Sequence, residues 1–191
     1  MKTKTFCTLL IAVLTGFSSL FAQGFQPPAE GKASVYIVRV SAYGGTTSFE
    51  YFLQDKYIGI FKGVNYLRYE CDPGANLFWA SSENKEFITT DLKAGGTYVI
   101  LVDIIMGAWK ARVGLKPVTA SAEDKEILDR VKKVVNSREP TITPPEKVEA
   151  MNVKLADFIK EQLNNYENEW KGTKNFKHVS ADMAIPESEL K

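Results

Sequence analysis

A catalytic reading of this chain has to begin from a handful of carboxylates, one histidine and one cysteine. Glu50, Glu70, Glu83, Glu86, Asp91 and Asp103 are the acids of interest in the strand-rich part of the sequence. Two of them could run glycosidase-type acid/base chemistry if the fold set them at the right separation, which sequence spacing does not fix. His178 is the only histidine. A Ser/His/acid or Cys71/His178 arrangement would need the polar C-terminal stretch to fold back onto the strands, and nothing in the sequence suggests that it does. One histidine and one cysteine beyond the first 22 residues make no nitrogen-and-sulfur metal cluster. Gly44-Gly45 and Gly95-Gly96 lack both the Lys-Ser/Thr ending and the following helix of a phosphate loop, so they read as turns. No catalytic residue, metal or cofactor is therefore expected, and the chain is read as a non-enzyme.

Other side chains invite a binding or a structural reading. Arg39 and Asp103 are the charged interruptions of two strands whose faces are otherwise apolar, so they are the candidate buried ion pair. The alternative for Asp103 is exposure where the cover over its strand ends. Tyr43, Tyr57, Tyr66, Trp79 and Trp109 could stack on sugar rings, but filling a core is the expected use. Lys110, Arg112 and Lys116 make a basic row that suits an anionic ligand, or more commonly a solvated, aggregation-blocking edge.

The elements that must position these residues follow from periodicity. Thr97 to Met106 is too short and too β-branched for a comfortable helix, so it reads as a strand. Tyr98, Ile100, Val102 and Ile104 take one face, and Val99, Leu101 and Ile105 the other. Both faces are apolar, so a second sheet is expected on one side and a C-terminal helix on the other. Ala33 to Ser41 has the same doubly apolar character. Between them, Phe49 to Gln54 and Tyr57 to Phe61 flank Asp55-Lys56 as a hairpin, with a bulge or close approach expected at Gly59. Asn65 to Cys71 leads into Asp72-Pro73-Gly74, a strong turn. Ala75 to Ser82 and Glu86 to Asp91 form a further hairpin, and Trp109 to Val118 alternates cleanly. About seven or eight strands with Gly/Pro turns and no intervening helix predict an antiparallel β-sandwich over residues 33–119.

Helical periodicity takes over in residues 120–172. Ser121 with Asp124 reads as a cap before Ile127, Leu128, Val131, Val134 and Val135. Thr143, Pro144 and Glu146 read as the start of a longer helix. Along it Val148, Met151, Leu155, Phe158, Ile159, Leu163, Tyr166 and Trp170 form one apolar stripe. Leaving that stripe in water would forfeit on the order of 10 kcal/mol, so it must cover one of this domain's sheets or meet a partner. Residues 173–191 read as a loosely held polar tail.

Residues 1–22 have the anatomy of a secretory signal peptide: Lys2 and Lys4, an apolar run from Phe6, and Phe21-Ala22 before Gln23. The run is too short for a stable membrane span. Cys7 lacks the residues that precede a lipid-modified cysteine. The expected protein is periplasmic or secreted and not a lipoprotein, with 23–32 as a leader. Taking Lys2 and Lys4 from the 24 basic residues leaves them one short of the 23 acidic ones, so nothing favours nucleic acid as a partner. Cys71 then has no disulfide partner and reads as a buried apolar residue.

Val35-Tyr-Ile-Val-Arg39, Asp55-Lys-Tyr-Ile-Gly59, Tyr66-Leu-Arg-Tyr-Glu70 before Asp72-Pro73-Gly74, and Leu92-Lys-Ala-Gly-Gly-Thr-Tyr98 together resemble a bacterial envelope family known as domain of unknown function 2846. The resemblance covers about residues 32–119, with Gly95-Gly96 where such sequences often have Gly-Lys. It implies an exported immunoglobulin-like or prealbumin-like sandwich, and it brings no catalytic residues with it. The expected role is binding or structural in the cell envelope, with another envelope protein or a glycan as partner. The alternatives are a carbohydrate-binding module and a carboxylate-based hydrolase on the same scaffold.

Overall fold

Short β-branched and aromatic runs, separated by Gly, Pro and Asp turns, fold the first part of the chain into two facing sheets. The computed structural model describes residues 23–43, 45, 47–106 and 111–191. The expected signal peptide with Cys7, as well as Gly44, Trp109 and Lys110, lies outside them. The strands are β1 (Ala33–Arg39), β2 (Ser48–Leu53), β3 (Lys56–Lys62), β4 (Asn65–Cys71), β5 (Gly74–Ser81), β6 (Lys85–Leu92), β7 (Thr97–Met106) and β8 (Ala111–Val118). Helices α1 (Lys125–Ser137), α2 (Pro145–Lys154) and α3 (Ala156–Asn165) follow, then a π-helical turn (Tyr166–Trp170) and a ninth strand, β9 (Lys177–Val179).

The first sheet has the order β4-β1-β7-β8 and the second β3-β2-β5-β6-β9. The sheets are mixed, which corrects the antiparallel expectation. β1 runs parallel to β7, and β6 parallel to β9. Hairpins impose antiparallel pairing only on neighbours in sequence. Between β1 and β7 the chain visits the other sheet twice, and β9 arrives from the helical region, so no tight turn dictates either direction.

The layers are helix, sheet, sheet, helix. Between the sheets lie Val35, Ile37, Phe49, Phe78, Ile88, Ile100 and Val102, all buried. On the outer face of the first sheet Tyr36, Val38, Tyr66, Val99, Leu101 and Val118 meet Leu128, Val131, Val134 and Val135 of α1. At about 1.5–3 kcal/mol for each large apolar side chain buried, that face alone is a major part of the domain's stability. The stripe packs elsewhere. Ile159 and Tyr166 are buried against Phe52, Tyr57, Trp79 and Phe87 on the outer face of the second sheet. Val148, Met151, Leu155, Phe158, Leu163 and Trp170 are partly buried around them. The strands β1 and β7 do receive a sheet on one face and a helix on the other, but the helix is α1. The longer helical segment covers the opposite sheet.

Several local details shift for identifiable reasons. The β2–β3 loop is Gln54-Asp55, with Leu53 opposite Lys56 and Gln54 at φ 51°. Its N–H donates to the Leu77 carbonyl at 2.7 Å, and its own carbonyl accepts the Trp79 indole N–H at 2.9 Å. These contacts hold a left-handed conformation that a glycine or asparagine adopts more readily. Gly59, at φ 154°, follows a register shift between Tyr51 and Phe52. A Cβ there would stand 2.7 Å from Leu67 Cδ1 and 2.9 Å from Thr143 Oγ1, so both the bulge and the close approach expected of it are present. Helix α1 begins at Lys125, one turn past Ser121. Asp124 turns its carboxylate back onto the Thr119 N–H and hydroxyl at 2.8 and 2.7 Å. Thr143 caps nothing in α2, and its hydroxyl accepts the Ile60 N–H of β3 at 3.4 Å. The stripe helix is broken at Leu155 (ψ 7°).

The C-terminal stretch is not loosely held. β9 pairs with β6, Val179 is buried between the sheets, and the Ile185 N–H donates to the Thr97 carbonyl at 2.8 Å. Ile185 then enters the α1 layer beside Phe25 and Leu190. The tail thus passes from one outer sheet to the other around the end of the sandwich. Spacing of its few apolar residues (Phe176, Val179, Met183, Ile185, Leu190) was the available signal, and it matches neither a helical nor a strand period.

Candidate functional sites

β3 and β4 leave their connecting turn at Gly63-Val64 and join different sheets, so the interior opens along that flank. Residues 138–144 cross the opening. The Thr141 N–H donates to the Tyr66 carbonyl at 2.8 Å, and the Tyr66 hydroxyl donates to the Arg138 carbonyl at 3.2 Å. Burial and the neighbouring Tyr36 hydroxyl push the Tyr66 phenol up to about 12, so it stays a neutral donor. A wedge-shaped cleft of about 560 Å³ remains between the two strands and α2. Ile58, Leu67, Tyr69, Ile142 and Val148 form its walls, with Lys56 and Glu149 among its polar residues. Its volume falls in the range of small-molecule sites. Ile142 stands 50% exposed there.

The free backbone edges around it are managed unequally. On β3, the Asn152 side-chain amide accepts the Tyr57 N–H at 2.8 Å and donates to the Tyr57 carbonyl at 3.2 Å, while also donating to the Val148 carbonyl at 2.9 Å. On β8, Asn84 does the same for Val113, at 2.8 Å in both directions. A side-chain amide reproduces the donor–acceptor pair of a missing neighbour strand, which blunts an edge against foreign pairing. Replacing Asn152 by Ala leaves both Tyr57 backbone groups without that partner. The expected cost is about 1–2 kcal/mol in chemical denaturation. A loss below a few tenths would mean that water serves Tyr57 as well as Asn152 does.

A second, more polar cleft of about 470 Å³ lies on the outer face of the five-stranded sheet, where the helical cover stops. Thr89 Oγ1 and His178 Nδ1 are 2.9 Å apart in it. Tyr166 and Glu167 of the π-helical turn and the neighbouring Lys171 overhang it, with Glu167 and Lys171 paired at 3.0 Å. π-Turns are rare and gather at functional sites. The tail therefore does fold back onto the strands, contrary to expectation, and brings the one histidine to a hydroxyl. Among the described residues no group of three His, Cys, Asp or Glu side chains could hold a metal ion.

The structure separates the expected ion pair. Arg39 is fully buried, yet its guanidinium donates to the carbonyls of Ser41, Thr47 and Tyr43 at 3.2, 2.8 and 2.7 Å. Asp103 is half-exposed and pairs with Lys116 at 3.0 Å, the arrangement expected where the α1 cover ends. Pairing the two charged exceptions by elimination overlooked backbone carbonyls, which serve a guanidinium as well as a carboxylate does when a loop presents several at once. Replacing Asp103 by Ala is accordingly expected to cost less than about 1 kcal/mol by thermal denaturation. A loss of several kcal/mol would show that Asp103 has a partner beyond Lys116.

Of the remaining candidates, Asp91 lines the polar cleft, while several others take structural places. Tyr57, Tyr66 and Trp79 are core residues, while Tyr43 is 56% exposed. Glu70 pairs with Arg68 at 2.5 Å and accepts the Ala29 N–H at 3.1 Å, tying the leader to β4. Burial raises the Glu86 carboxyl above its usual range, against the pull of Lys174, Arg112 and Lys177, but Glu86 lines neither cleft. Cys71 is a buried free thiol, pushed up to about 11 chiefly by burial. At neutral pH it is protonated and a poor nucleophile. No described helix is long and apolar enough to cross a membrane. Compared with known proteins, the chain matches no family model and no curated protein.

Proposed function

We propose that this chain is an exported, non-enzymatic β-sandwich protein that serves a binding or structural role in the cell envelope. The wedge between β3 and β4 carries the proposal, because its walls are apolar and it holds none of the hydroxyl–imidazole or paired-acid groups that chemistry would need. Supporting it are the secretory anatomy of residues 1–22 and the resemblance of residues 32–119 to domain of unknown function 2846. That resemblance favours an immunoglobulin-like or prealbumin-like sandwich. The stretch that follows Ala22 belongs to the folded domain: the Gly24 N–H donates to the Val135 carbonyl at 3.1 Å, and Phe25 packs on Tyr36. Fractionation of a bacterium expressing the full chain, with mass spectrometry of the product, tests this. A species starting at Gln23 in the periplasm or medium is expected. A full-length species in the cytoplasm would contradict export.

The second reading, a glycan-binding or hydrolytic surface, draws on the polar cleft with Thr89, His178, Glu167 and Lys171. It predicts saturable binding of cell-wall saccharides that Thr89→Val abolishes. The exposed row of coplanar aromatics that usually accompanies such binding is not present among the described residues, which places this reading second.

A further inference from the structure

Asparagine side chains cap part of the edges of β3 and β8, whereas among the described residues β4 leaves two neighbouring outward backbone pairs open. β3 and β8 each carry an asparagine amide across an outward backbone pair. On β4 the engaged outward groups are those of Tyr66: its carbonyl accepts the Thr141 N–H, and its N–H donates to the Asn65 side-chain carbonyl at 2.9 Å. Backbone groups alternate along a strand, so those of Arg68 and Glu70 point outward on the same side as those of Tyr66. The register agrees: Ser34, opposite Glu70, sends its N–H away from β4 to the Gly96 carbonyl. Among the described residues nothing is bonded to the outward N–H and carbonyl groups of Arg68 and Glu70. A large apolar side chain stands exposed along the same flank: Ile142, at 50%, lines the cleft beside Arg68 and Tyr69. An unpaired edge beside uncovered apolar surface is a template for another strand.

The geometry points to a second copy of this chain as the occupant, pairing β4 against β4 in antiparallel fashion about a two-fold axis at Tyr69. The charges select that register. With the axis at Tyr69, Arg68 of each copy stands opposite Glu70 of the other, on one face of the joined sheet. Moving the axis to Arg68 or to Glu70 sets like charges directly opposite one another, which disfavours both alternatives. The outward groups then bond in reciprocal pairs, Arg68 with Glu70 twice over. The ladder stops there, because Thr141 occupies the edge at Tyr66 and the Pro73-Gly74 turn carries the second copy's chain away before it arrives. Each sandwich thus extends its four-stranded sheet into one of eight, with Ile142 of the two copies beside the axis. This inference goes beyond the proposed role and holds whether that role is binding or structural.

Charge exchange tests it. Sedimentation and light scattering of the chain from Gln23 across a concentration series are expected to show a reversible dimer. Glu70→Arg and Arg68→Glu should each weaken that dimer by about tenfold or more, since each replaces attraction with repulsion across the axis. Mixed in equal amounts, the two variants should recover the dimer as a heterodimer. One copy then carries positive charge at both positions, 68 and 70, and faces a copy that carries negative charge at both. Both single changes also break the pair within the chain, and Arg68→Glu removes its bonds to the Tyr36 hydroxyl and the Pro27 carbonyl. The double exchange Arg68→Glu/Glu70→Arg restores the pairing within and between copies, and should dimerise nearly as the wild type does. A wild-type chain that stays monomeric to millimolar concentration overturns the inference and leaves the edge to a strand from another protein. So does a mixture of single variants that remains monomeric while the double variant folds.

Discussion

Replacing Trp79 by Ala is expected to remove about 4 kcal/mol from the stability of the domain, measured by chemical denaturation. Trp79 is 1% exposed in the middle of the second sheet's outer face. Phe52 stacks on one side of it at 3.8 Å and Phe87 lies at 5.4 Å, and Phe158 of α3 tilts over it at 6.1 Å. The substitution leaves a cavity that those rings, each held by other neighbours, cannot collapse into. It also takes the indole N–H from the Gln54 carbonyl, in a turn whose left-handed residue depends on such contacts. Loss of packing and loss of the turn act in the same direction. Trp170→Ala is the control: it sits partly buried at the margin of the same cluster, and about 1–2 kcal/mol is expected. Equal losses at the two positions would contradict the placement of the stripe on this sheet.

Replacing Arg39 by Met is expected to cost about 2–3 kcal/mol and to loosen the β1–β2 loop, read as faster amide exchange in residues 41–47. Two effects oppose one another. Methionine relieves the desolvation of a buried cation, which among the described residues has no carboxylate partner and whose pKa burial lowers. Against that, three charge-assisted hydrogen bonds disappear and three carbonyls lose their donor, at about 1–3 kcal/mol for each that water cannot reach. Tyr43 is more than half exposed, so its carbonyl can be rehydrated, while the other losses keep the net effect destabilising. Stability unchanged, with the loop as protected as before, would mean that the carbonyls find other donors.

What the sequence revealed and what it hid divide along the range of the forces involved. β4 and β7 occupy the spans expected from alternation and turn chemistry, because both are local properties. The two apolar faces of β7 correctly demanded two covers. Which helix supplied which cover was not legible, since α1 and α2–α3 both present apolar stripes and only chain path decides between them. The parallel pairings, the ninth strand and the path of the tail depend on contacts between distant segments. His178 could be placed near Thr89 only after β9 was known. The wedge escaped notice for the same reason: it is the gap left when β3 and β4 enter different sheets, and no motif encodes a gap. The cap at Thr143 failed differently, because its hydroxyl had a competing long-range acceptor role at Ile60.

The most direct measurement is the denaturation of a chain comprising residues 23–119 beside one comprising residues 23–191. Without α1 the faces of Tyr36, Val99 and Leu101 are bare, and without α2 and α3 so are those of Phe52, Trp79 and Phe87. The shorter chain is expected to be aggregated or to lack a cooperative transition, while the longer one unfolds in a single step. A soluble 23–119 fragment that unfolds cooperatively at the same denaturant concentration would contradict the claim that the C-terminal third completes the fold of both sheets.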